Sequence, residues 1–560
     1  MKRLLWLVVL VVLLAGAGSA QAATCTKVAA PGINLRDFVG SLKPGDVGCL
    51  HAGTYGSRGA WAPMEVNGTA GARITLMGFP GETTKPTILG QLGLIGDYTT
   101  VSGFIFDGPA GLAPDSRWEM APVAIWGGDH VEIKHSVVRG SKSHEGIAVN
   151  DAQDVRIIGN HIYDNGDFAN PAQANLDHGI YFGSGSGLIA NNIIEHNYAF
   201  GVQLYPSARD VLVTHNTIVK NGRAGVIIAS EPGQAQPLSA NNRVVNNIIA
   251  SNTQNAVTSY GTIGPGNIVQ NNIFWANGTA GSTAGLTMRG NIGKDPRFTG
   301  AADYRLLSTS PAIDTALSAY TQPNDYALTP RPQRGAPDIG AYERPTTAPG
   351  IRSHATAVAS DTTSGLTVSR PASSVAGDLL LAAIVHQGGI YANVGPPPGW
   401  TAVPSTDRYY DPTGPRTRIY YRVATASEPI SYRFTISSDF PQDMVGGITA
   451  FTGVDPSKPI NVAAGQANAS GGYQVTAPSV SPSWRNTRLV FVGASEAPAT
   501  WTAPAGMAER FELSSTGTYE ATMELATQSL ASSGATGQRK ATMSIWWPSI
   551  GVLLALNPAR

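Results

Sequence analysis

Six segments between Val131 and Gly278 repeat one another, and this repeat constrains the fold more than any other feature of the chain. Each segment ends in a polar residue: Ser141, Asn165, Asn197, Asn221, Asn252 and Asn277. The steps between these residues are 24, 32, 24, 31 and 25 residues. A second polar column precedes each by five positions: Ser136, Asn160, Asn192, Asn216, Asn247 and Asn272. A repeat of this length is typical of a solenoid of stacked units.

Each repeat unit carries the pattern of short strands. Apolar residues alternate with polar ones, as at Val155 and Ile157, and turn residues interrupt every run. About 24 residues per coil fit three short strands and three bends, with neighbouring coils about 4.8 Å apart. The two Asn columns then become ladders of hydrogen-bonded amides at the bends. The two long steps predict loops near residues 166–176 and 231–241.

The charge balance and the first residues bear on where the protein acts. Only 14% of the residues are charged and the formal net charge is zero, which gives no electrostatic reason to expect a nucleic acid or an anionic membrane as a partner. Lys2 and Arg3, an apolar run over 4–15 and the Ala20-Gln21-Ala22 site predict a signal peptide cleaved after Ala22. No second apolar stretch is long enough to span a membrane. We therefore expect a secreted, extracellular monomer.

Two short features near the mature N-terminus complete the solenoid. Cys25 and Cys49 are the two cysteines of the chain, and export favours a disulfide between them over two free thiols. The segment 34–39 has the pattern of a short amphipathic helix. Such a helix would cover the open end of the stack, where exposed strand edges need protection.

The sequence changes character near residue 351, which predicts a second domain. We expect a signal peptide over 1–22, a solenoid domain over 23–343, a linker over 344–350 and a β-sandwich over 351–560. The β-rich runs at 378–385, 417–423, 430–436 and 444–451 are separated by turns, as in an antiparallel sandwich. Its five tryptophans either form a sugar-stacking surface or pack within the domain: Trp400, Trp484, Trp501, Trp546 and Trp547.

Motifs at both ends of the solenoid resemble a known superfamily. The opening coils contain Pro44-Gly45-Asp46, His51-Ala52-Gly53-Thr54-Tyr55, Asn67-Gly68-Thr69 and Pro80-Gly81-Glu82, and the closing segment contains Asp295-Pro296-Arg297-Phe298, Ser310-Pro311-Ala312-Ile313-Asp314 and Asp338-Ile339-Gly340. These resemble the secreted right-handed parallel β-helix proteins, which include pectate, alginate and chondroitin lyases. The resemblance covers roughly residues 28–343 and implies a right-handed parallel β-helix with a polysaccharide-binding groove along one parallel sheet. With the antiparallel β-sandwich predicted from the later β-rich runs, we expect an all-β chain.

The candidate site follows from aligning four coils on a shared glycine, at Gly146, Gly179, Gly201 and Gly225. Strand alternation then turns one set of residues inward: Ile147, Val149, Ile180, Phe182, Val202, Leu204, Val226 and Ile228. It turns Asn150, Tyr181, Gln203 and Tyr205 outward. Ionisable and aromatic residues gather within about four coils in an otherwise neutral scaffold: His144, Glu145, Asp177, His178, Tyr181, Tyr205 and Arg223.

These residues suggest the parts of a lyase acting on a uronate. His178 is the candidate base, held by Asp177 or Glu145, and Arg223 is the candidate partner of the substrate carboxylate. Tyr181 or Tyr205 is the candidate acid. We assign substrate binding to His144, Asn150 and Gln203. Calcium could bind through Glu145, Asp177 and Asp164, although no dense carboxylate motif requires it and no other cofactor is indicated.

Two further activities remain open at this stage. Residues 177–184 resemble the His-Gly strand of polygalacturonase-type glycosidases, but the paired aspartates and the Arg-x-Lys strand of that family are missing here. The Asp-Pro-His motif of the alginate epimerases is missing too. We therefore expect a secreted polysaccharide lyase first. The alternatives are a glycoside hydrolase using Glu145 with Asp177 and a non-catalytic carbohydrate-binding adhesin.

Overall fold

The structure is a computed structural model and describes residues 24–108, 121–141, 144–167, 177–231, 233 and 237–559. The predicted signal peptide and the central parts of the two predicted loops (168–176, 232 and 234–236) lie outside these residues. The chain divides into two compact units, one ending at Asp295 and the other beginning at Pro296. The domain limits predicted from composition stay predictions. No helix among the described residues is long and apolar enough to cross a membrane.

The first unit is built almost entirely from short strands. Its helix is α1 (Leu35–Gly40), and its strands are β1 (Lys27–Ala29), β2 (Val47–Leu50), β3 (Thr54–Met64), β4 (Ile74–Gly78), β5 (Thr87–Leu94), β6 (Thr99–Ser102), β7 (Ile105–Asp107), β8 (Val123–Trp126), β9 (Glu132–Lys134), β10 (Val137–Arg139), β11 (Ile147–Asn150), β12 (Ala152–Ile158), β13 (His161–Tyr163), β14 (Ile180–Ala190), β15 (Ile193–Glu195), β16 (Val202–Thr214), β17 (Thr217–Val219), β18 (Val226–Ala229), β19 (Arg243–Val245), β20 (Ile248–Ala250), β21 (Val257–Tyr260), β22 (Ile268–Gln270), β23 (Ile273–Trp275) and β24 (Thr287–Arg289).

These strands form three parallel stacks, with each coil contributing one strand to each stack. We call one stack the site sheet: it consists of β8, β11, the first half of β14, the first half of β16, β18 and β21, paired in that order. The second stack contains β9, β12, the second halves of β14 and β16, β19 and β22. The third contains β7, β10, β13, β15, β17, β20 and β23. This architecture confirms the predicted right-handed parallel β-helix.

The asparagine columns form the ladders that the repeat predicts. Asn192 Nδ2 donates to Asn216 Oδ1 at 2.9 Å, so these two residues lie on adjacent coils. Asn165 Nδ2 donates to Asn197 Oδ1 at the same distance in the second column. Each amide oxygen also accepts a backbone N–H of the coil before it, as Asn216 Oδ1 does from Asn192. The ladders therefore satisfy backbone groups that the bends would otherwise leave unpaired inside the protein.

The start of the coil is closed as expected. Helix α1 begins after Asn34, whose side chain accepts the backbone N–H of Arg36 at 3.0 Å and of Asp37 at 3.4 Å. The helix buries Leu35 and Val39 against the apolar interior. The predicted disulfide between Cys25 and Cys49 is present, and it ties the segment before β1 to β2.

The second unit is antiparallel. After a single turn of 3-10 helix (Ser318–Tyr320) its strands are β25 (Gly350–Thr362), β26 (Leu366–Ser369), β27 (Leu379–His386), β28 (Ala392–Gly395), β29 (Thr401–Ala402), β30 (Arg408–Tyr409), β31 (Arg416–Val423), β32 (Ser431–Ser438), β33 (Gln442–Thr452), β34 (Ile460–Ala477), β35 (Thr487–Ser495), β36 (Trp501–Thr502), β37 (Ala508–Ser514), β38 (Thr522–Leu530) and β39 (Arg539–Leu556). The four β-rich runs found in the sequence correspond to β27, β31, β32 and β33.

The antiparallel sandwich consists of more than two stacked sheets. The sheet β25-β33-β27-β31-β29 has apolar clusters on both faces, and every residue of β27 is buried. One cluster packs it against β26-β32-β28, and the other packs it against β34-β39-β35-β38-β37. In β38, Glu524 has no solvent exposure, and neither carboxyl oxygen has a hydrogen-bond partner among the described residues. Burial, with the charges of Glu509 and Glu512, raises the pKa of Glu524 to about 8.

Candidate functional site

The site sheet positions its side chains by strict alternation. The residues predicted to point inward have no solvent exposure: Ile147, Val149, Ile180, Phe182, Val202, Leu204, Val226 and Ile228. Tyr181 pairs with Ala148 on the preceding coil and with Gln203 on the following coil, so these three residues share the outward column. Tyr181 is partly exposed, whereas Gln203 is only 8% exposed.

Asn150 and Tyr205, the other predicted outward residues, are partly exposed. Asn150 is the last residue of β11, and Tyr205 follows the first half of β16. Gly183 follows Phe182 on the next coil, and a Cβ there would lie 2.1 Å from Asn150 Oδ1. Glycine at this position therefore leaves room for the Asn150 amide to lie across the neighbouring coil. Tyr205 packs instead on a small buried apolar cluster containing Ala199, Phe200, Ala224, Ile227 and Ala229.

His144, Glu145 and Asp177 come together before the strands begin. Asp177 has no solvent exposure, and its two oxygens accept the backbone N–H of His144 at 2.7 Å and of Asp167 at 3.0 Å. These bonds fix the bend before β11, where His144 has a φ of 96°, a conformation that non-glycine residues seldom adopt. Asp177 is thus an anchor for the bend that carries Glu145.

Glu145 has the most perturbed carboxyl of this group. Part of the residue reaches solvent, but desolvation of the carboxyl, assisted by the charge of Asp177, raises its pKa to about 7. Burial also raises the pKa of Asp177, although its two backbone hydrogen bonds oppose the shift. Burial lowers the pKa of His144. Glu145 is therefore the group whose proton is most readily exchanged near neutral pH.

Tyr181 lies within the electrostatic reach of Glu145. Burial, with the charge of Glu145, raises the pKa of the Tyr181 phenol to about 12. A phenol with this pKa keeps its proton at neutral pH and can donate it. Glu145 and Tyr181 therefore lie on neighbouring coils, with a carboxyl whose pKa is near neutral and a phenol that keeps its proton there.

His178 occupies the same register as Glu145, one coil further on, because the backbone N–H of Gly146 donates to the His178 carbonyl at 2.9 Å. Its side chain is only 1% exposed. The His178 ring lies 5.4 Å from the Phe200 ring and 6.3 Å from the Tyr181 ring, and Nδ1 accepts the Phe200 backbone N–H at 3.4 Å. In this conformation His178 packs beneath Tyr181 rather than facing solvent.

Arg223 and Tyr205 lie further along the stack. The Arg223 guanidinium lies 5.7 Å from the centre of the Phe200 ring, which allows a cation–π contact. Among the described residues, no carboxylate forms an ion pair with Arg223. The Tyr205 hydroxyl donates to Glu231, so its proton already has an acceptor. Arg223 is therefore the better placed of the two to receive an anionic ligand.

The possible calcium ligands do not converge. Asp164 Oδ1 lies 2.5 Å from His196 Nδ1, while both Asp177 side-chain oxygens accept backbone N–H groups. Within the parts of the chain that the structure describes, no three His, Cys, Asp or Glu side chains are close enough to hold a metal ion.

Phe200 and Asp167 belong to this site but were not among the predicted residues. Phe200 contacts both His178 and Arg223, and Asp167 donates a backbone N–H to Asp177. Phe200 precedes Gly201 as Glu145 precedes Gly146, so the glycine alignment already contained it. Phe200 was not selected because the candidate residues were chosen for ionisable or polar side chains.

Together these features define a right-handed parallel β-helix protein with a C-terminal antiparallel sandwich and an ionisable cluster on one parallel sheet. The family model described as "Right handed beta helix region" matches residues 115–236. No curated protein matches the sequence.

Three solved structures illustrate the likeness. Pectate lyase Pel9A is 13% identical, with a TM-score of 0.41, over 58% of this chain and 98% of its own. The alginate lyase from Paenibacillus sp. str. FPU-7 is 16% identical, with a TM-score of 0.33, over 48% of this chain and 100% of its own. The A-module of the mannuronan C-5 epimerase AlgE4 from Azotobacter vinelandii is 16% identical, with a TM-score of 0.34, over 44% of this chain and 68% of its own.

Proposed function

We propose that this protein is an exported polysaccharide lyase that cleaves a uronate-containing glycan by β-elimination at the site sheet. The observation that carries the proposal is the Glu145–Tyr181 pair. Desolvation raises the pKa of the Glu145 carboxyl to about 7, and burial with the charge of Glu145 raises the pKa of the Tyr181 phenol, which is partly exposed on the outward column of the site sheet, to about 12. The Cys25–Cys49 disulfide supports export, because such bonds persist in oxidising compartments.

The roles of the two groups follow from their pKa values. Ionised Glu145 removes the proton on the carbon next to the uronate carboxylate. The electron pair of that C–H bond forms a carbon–carbon double bond as the bond to the glycosidic oxygen breaks, and Tyr181 donates its proton to the leaving oxygen. Glu145 leaves the step protonated and Tyr181 ionised, and exchange with water restores both.

Arg223 is proposed to neutralise a substrate carboxylate. It lies two coils beyond the level of His178, which corresponds to about 10 Å along the stack. Its guanidinium has the planar donor geometry that pairs with carboxylates. In this scheme His178 positions Tyr181 and Phe200 from below and does not touch the substrate. His144 and Asn150 lie on the same coil as Glu145, one coil before Tyr181.

Glycoside hydrolysis would need Asp177 as a second carboxylate beside Glu145, and the position of Asp177 does not support that role. Asp177 is completely buried and both its oxygens accept backbone hydrogen bonds, so it cannot approach a glycosidic bond without breaking the bend. This favours elimination over hydrolysis.

The test is product analysis with a panel of acidic and neutral polysaccharides. Elimination creates an unsaturated uronate that absorbs in the ultraviolet, whereas hydrolysis creates reducing ends without that absorbance. We expect both signals from at least one acidic polymer, and loss of both in Glu145→Gln. Glu195→Gln is the matched control, because Glu195 pairs with His161 on the third stack and should leave the activity intact. Reducing ends alone would indicate a hydrolase, and binding without any product would indicate an adhesin.

A further inference from the structure

Two exposed aromatic side chains mark a bend in the long antiparallel strand pair formed by β34 and β39 of the second unit. Tyr473 is 55% exposed and Trp546 is 54% exposed. Gly472 pairs with Trp547 in this strand pair, and Tyr473 and Trp546 lie next to these two residues along their strands. The register of the ladder shifts on both sides of Gly472. The bend therefore presents both aromatic residues at the surface.

The Trp546 ring is held against the backbone rather than extended into solvent. At Gly471, which has a φ of 73°, a Cβ would lie 2.6 to 2.9 Å from three atoms of that ring. One side of the indole thus rests on the glycine, and about half of the residue still faces water. An aromatic ring fixed in this way has lost little freedom that binding would need to remove.

The neighbouring Trp547 lies beside the Tyr410 hydroxyl, which donates to Glu496 at 2.9 Å. Trp547 is 41% exposed, so it is less accessible than Tyr473 and Trp546. The other three tryptophans of this unit that could have formed such a surface are at most 9% exposed: Trp400, Trp484 and Trp501.

The strand segments that carry the two rings contain no charged side chain. Neither Ile460–Ala477 nor residues 541–556 contain an Asp, Glu, Lys, Arg or His, and Arg539 and Lys540 at the start of β39 pair with Ala477 and Thr476 at one end of the ladder. Ser470 and Gln474 are exposed beside the bend and offer uncharged hydrogen-bonding groups. Such a surface does not attract a polyanion or an anionic membrane, but it matches a sugar, whose C–H face stacks on an aromatic ring while its hydroxyls bond to amides and hydroxyls.

We propose that Tyr473 and Trp546 form a binding site for a neutral polysaccharide, separate from the ionisable cluster of the site sheet. The site contributes affinity for an uncharged glycan and takes no part in bond cleavage. It does not depend on the proposed lyase activity, because its residues and its ligand class are different.

The proposal is tested with the full chain by calorimetric titration with hydroxyethylcellulose, xylan and galactomannan, and with polygalacturonate as the acidic probe. We expect binding to at least one neutral probe, with little dependence on salt. Trp546→Ala and Tyr473→Ala should each weaken it about tenfold or more. Trp546→Phe, which keeps a ring, should retain most of the affinity.

The matched control is Phe440→Ala, which removes a side chain that is 69% exposed but lies beside Asp439, in the connection between β32 and β33. This variant should bind like the unmodified protein. Failure of every neutral probe to bind would overturn the proposal, as would equal weakening in Phe440→Ala. A dimer seen by sedimentation that Trp546→Ala abolishes, without glycan binding, would assign the surface to self-association instead.

Discussion

Replacing Asn216 by alanine should destabilise the β-helix without altering the chemistry of the site. Asn216 lies in the middle of a buried ladder. Its Nδ2 donates to the Ile189 carbonyl at 2.8 Å and to Asn247 Oδ1 at 3.0 Å. Its Oδ1 accepts both the backbone N–H and the Nδ2 of Asn192, each at 2.9 Å. Alanine removes all of these bonds and leaves the Asn192 N–H buried without its acceptor.

The magnitude follows from the groups that lose their partners. A hydrogen bond contributes about 1 kcal/mol net, and a buried donor left without an acceptor costs about 1–3 kcal/mol. Because the lost bonds share atoms and are not additive, we expect a total cost on the order of 4 kcal/mol for Asn216→Ala. Amides of the flanking strands should then exchange with solvent about 10²–10³ times faster.

Urea denaturation of the full chain, combined with hydrogen exchange of peptides covering 189–219, measures this loss. Asn291→Ala is the control, since Asn291 accepts from Asn272 at the partly exposed end of the same ladder, where water can replace it. The control should lose about 1 kcal/mol or less. Equal effects of the two variants, or an Asn216→Ala protein as stable as the parent, would refute the role assigned to the ladder.

Three further outcomes are expected. Cys49→Ser should lower the free energy of unfolding by about 3 kcal/mol in thermal or urea denaturation, because the Cys25–Cys49 bridge spans a sequence separation of 24. A parent protein that is equally stable after reduction would contradict this. The Glu524 carboxyl of the parent keeps its proton up to about pH 8 in the native state, whereas in the unfolded chain it releases the proton near the ordinary glutamate pKa of 4.5. The parent should therefore lose roughly 4 kcal/mol of stability between pH 5 and 8.5, and Glu524→Gln should show no such loss. Glu65→Gln, at an exposed glutamate of the first unit, should resemble the parent. His178→Ala should lower the melting temperature as well as the rate, because the ring is buried against Phe200 and Tyr181; an unchanged melting temperature would contradict its packing role.

The sequence predicted the fold well because its signals are periodic. The spacing of Asn192 and Asn216 predicted a ladder that the hydrogen bonds confirm, and the glycine alignment predicted the inward set that includes Ile147 and Ile180. The disulfide and α1 followed from equally local reasoning. Each of these features depends on spacing and alternation that can be read along the chain, either within one coil or from one coil to the next.

The candidate site was harder to predict because its residues lie at bends. Strand alternation fixes the direction of Tyr181 but says nothing of His178, which precedes the strand, so only the structure could place its ring under Tyr181. The pKa of Glu145 depends on how much protein surrounds its carboxyl, and that surrounding comes from other coils. Likewise, no sequence pattern distinguished the buried Trp501 from the exposed Trp546.

The pH dependence of the elimination rate, for the parent and for Glu145→Gln, tests the central claim most directly. With the acidic polymer that gives unsaturated product, kcat/KM of the parent should rise as Glu145 ionises and level off above pH 7. Glu145→Gln should lose a factor of about 10²–10⁴ and this rise with it. An undiminished rate in Glu145→Gln, with the same rise, would contradict Glu145 as the base.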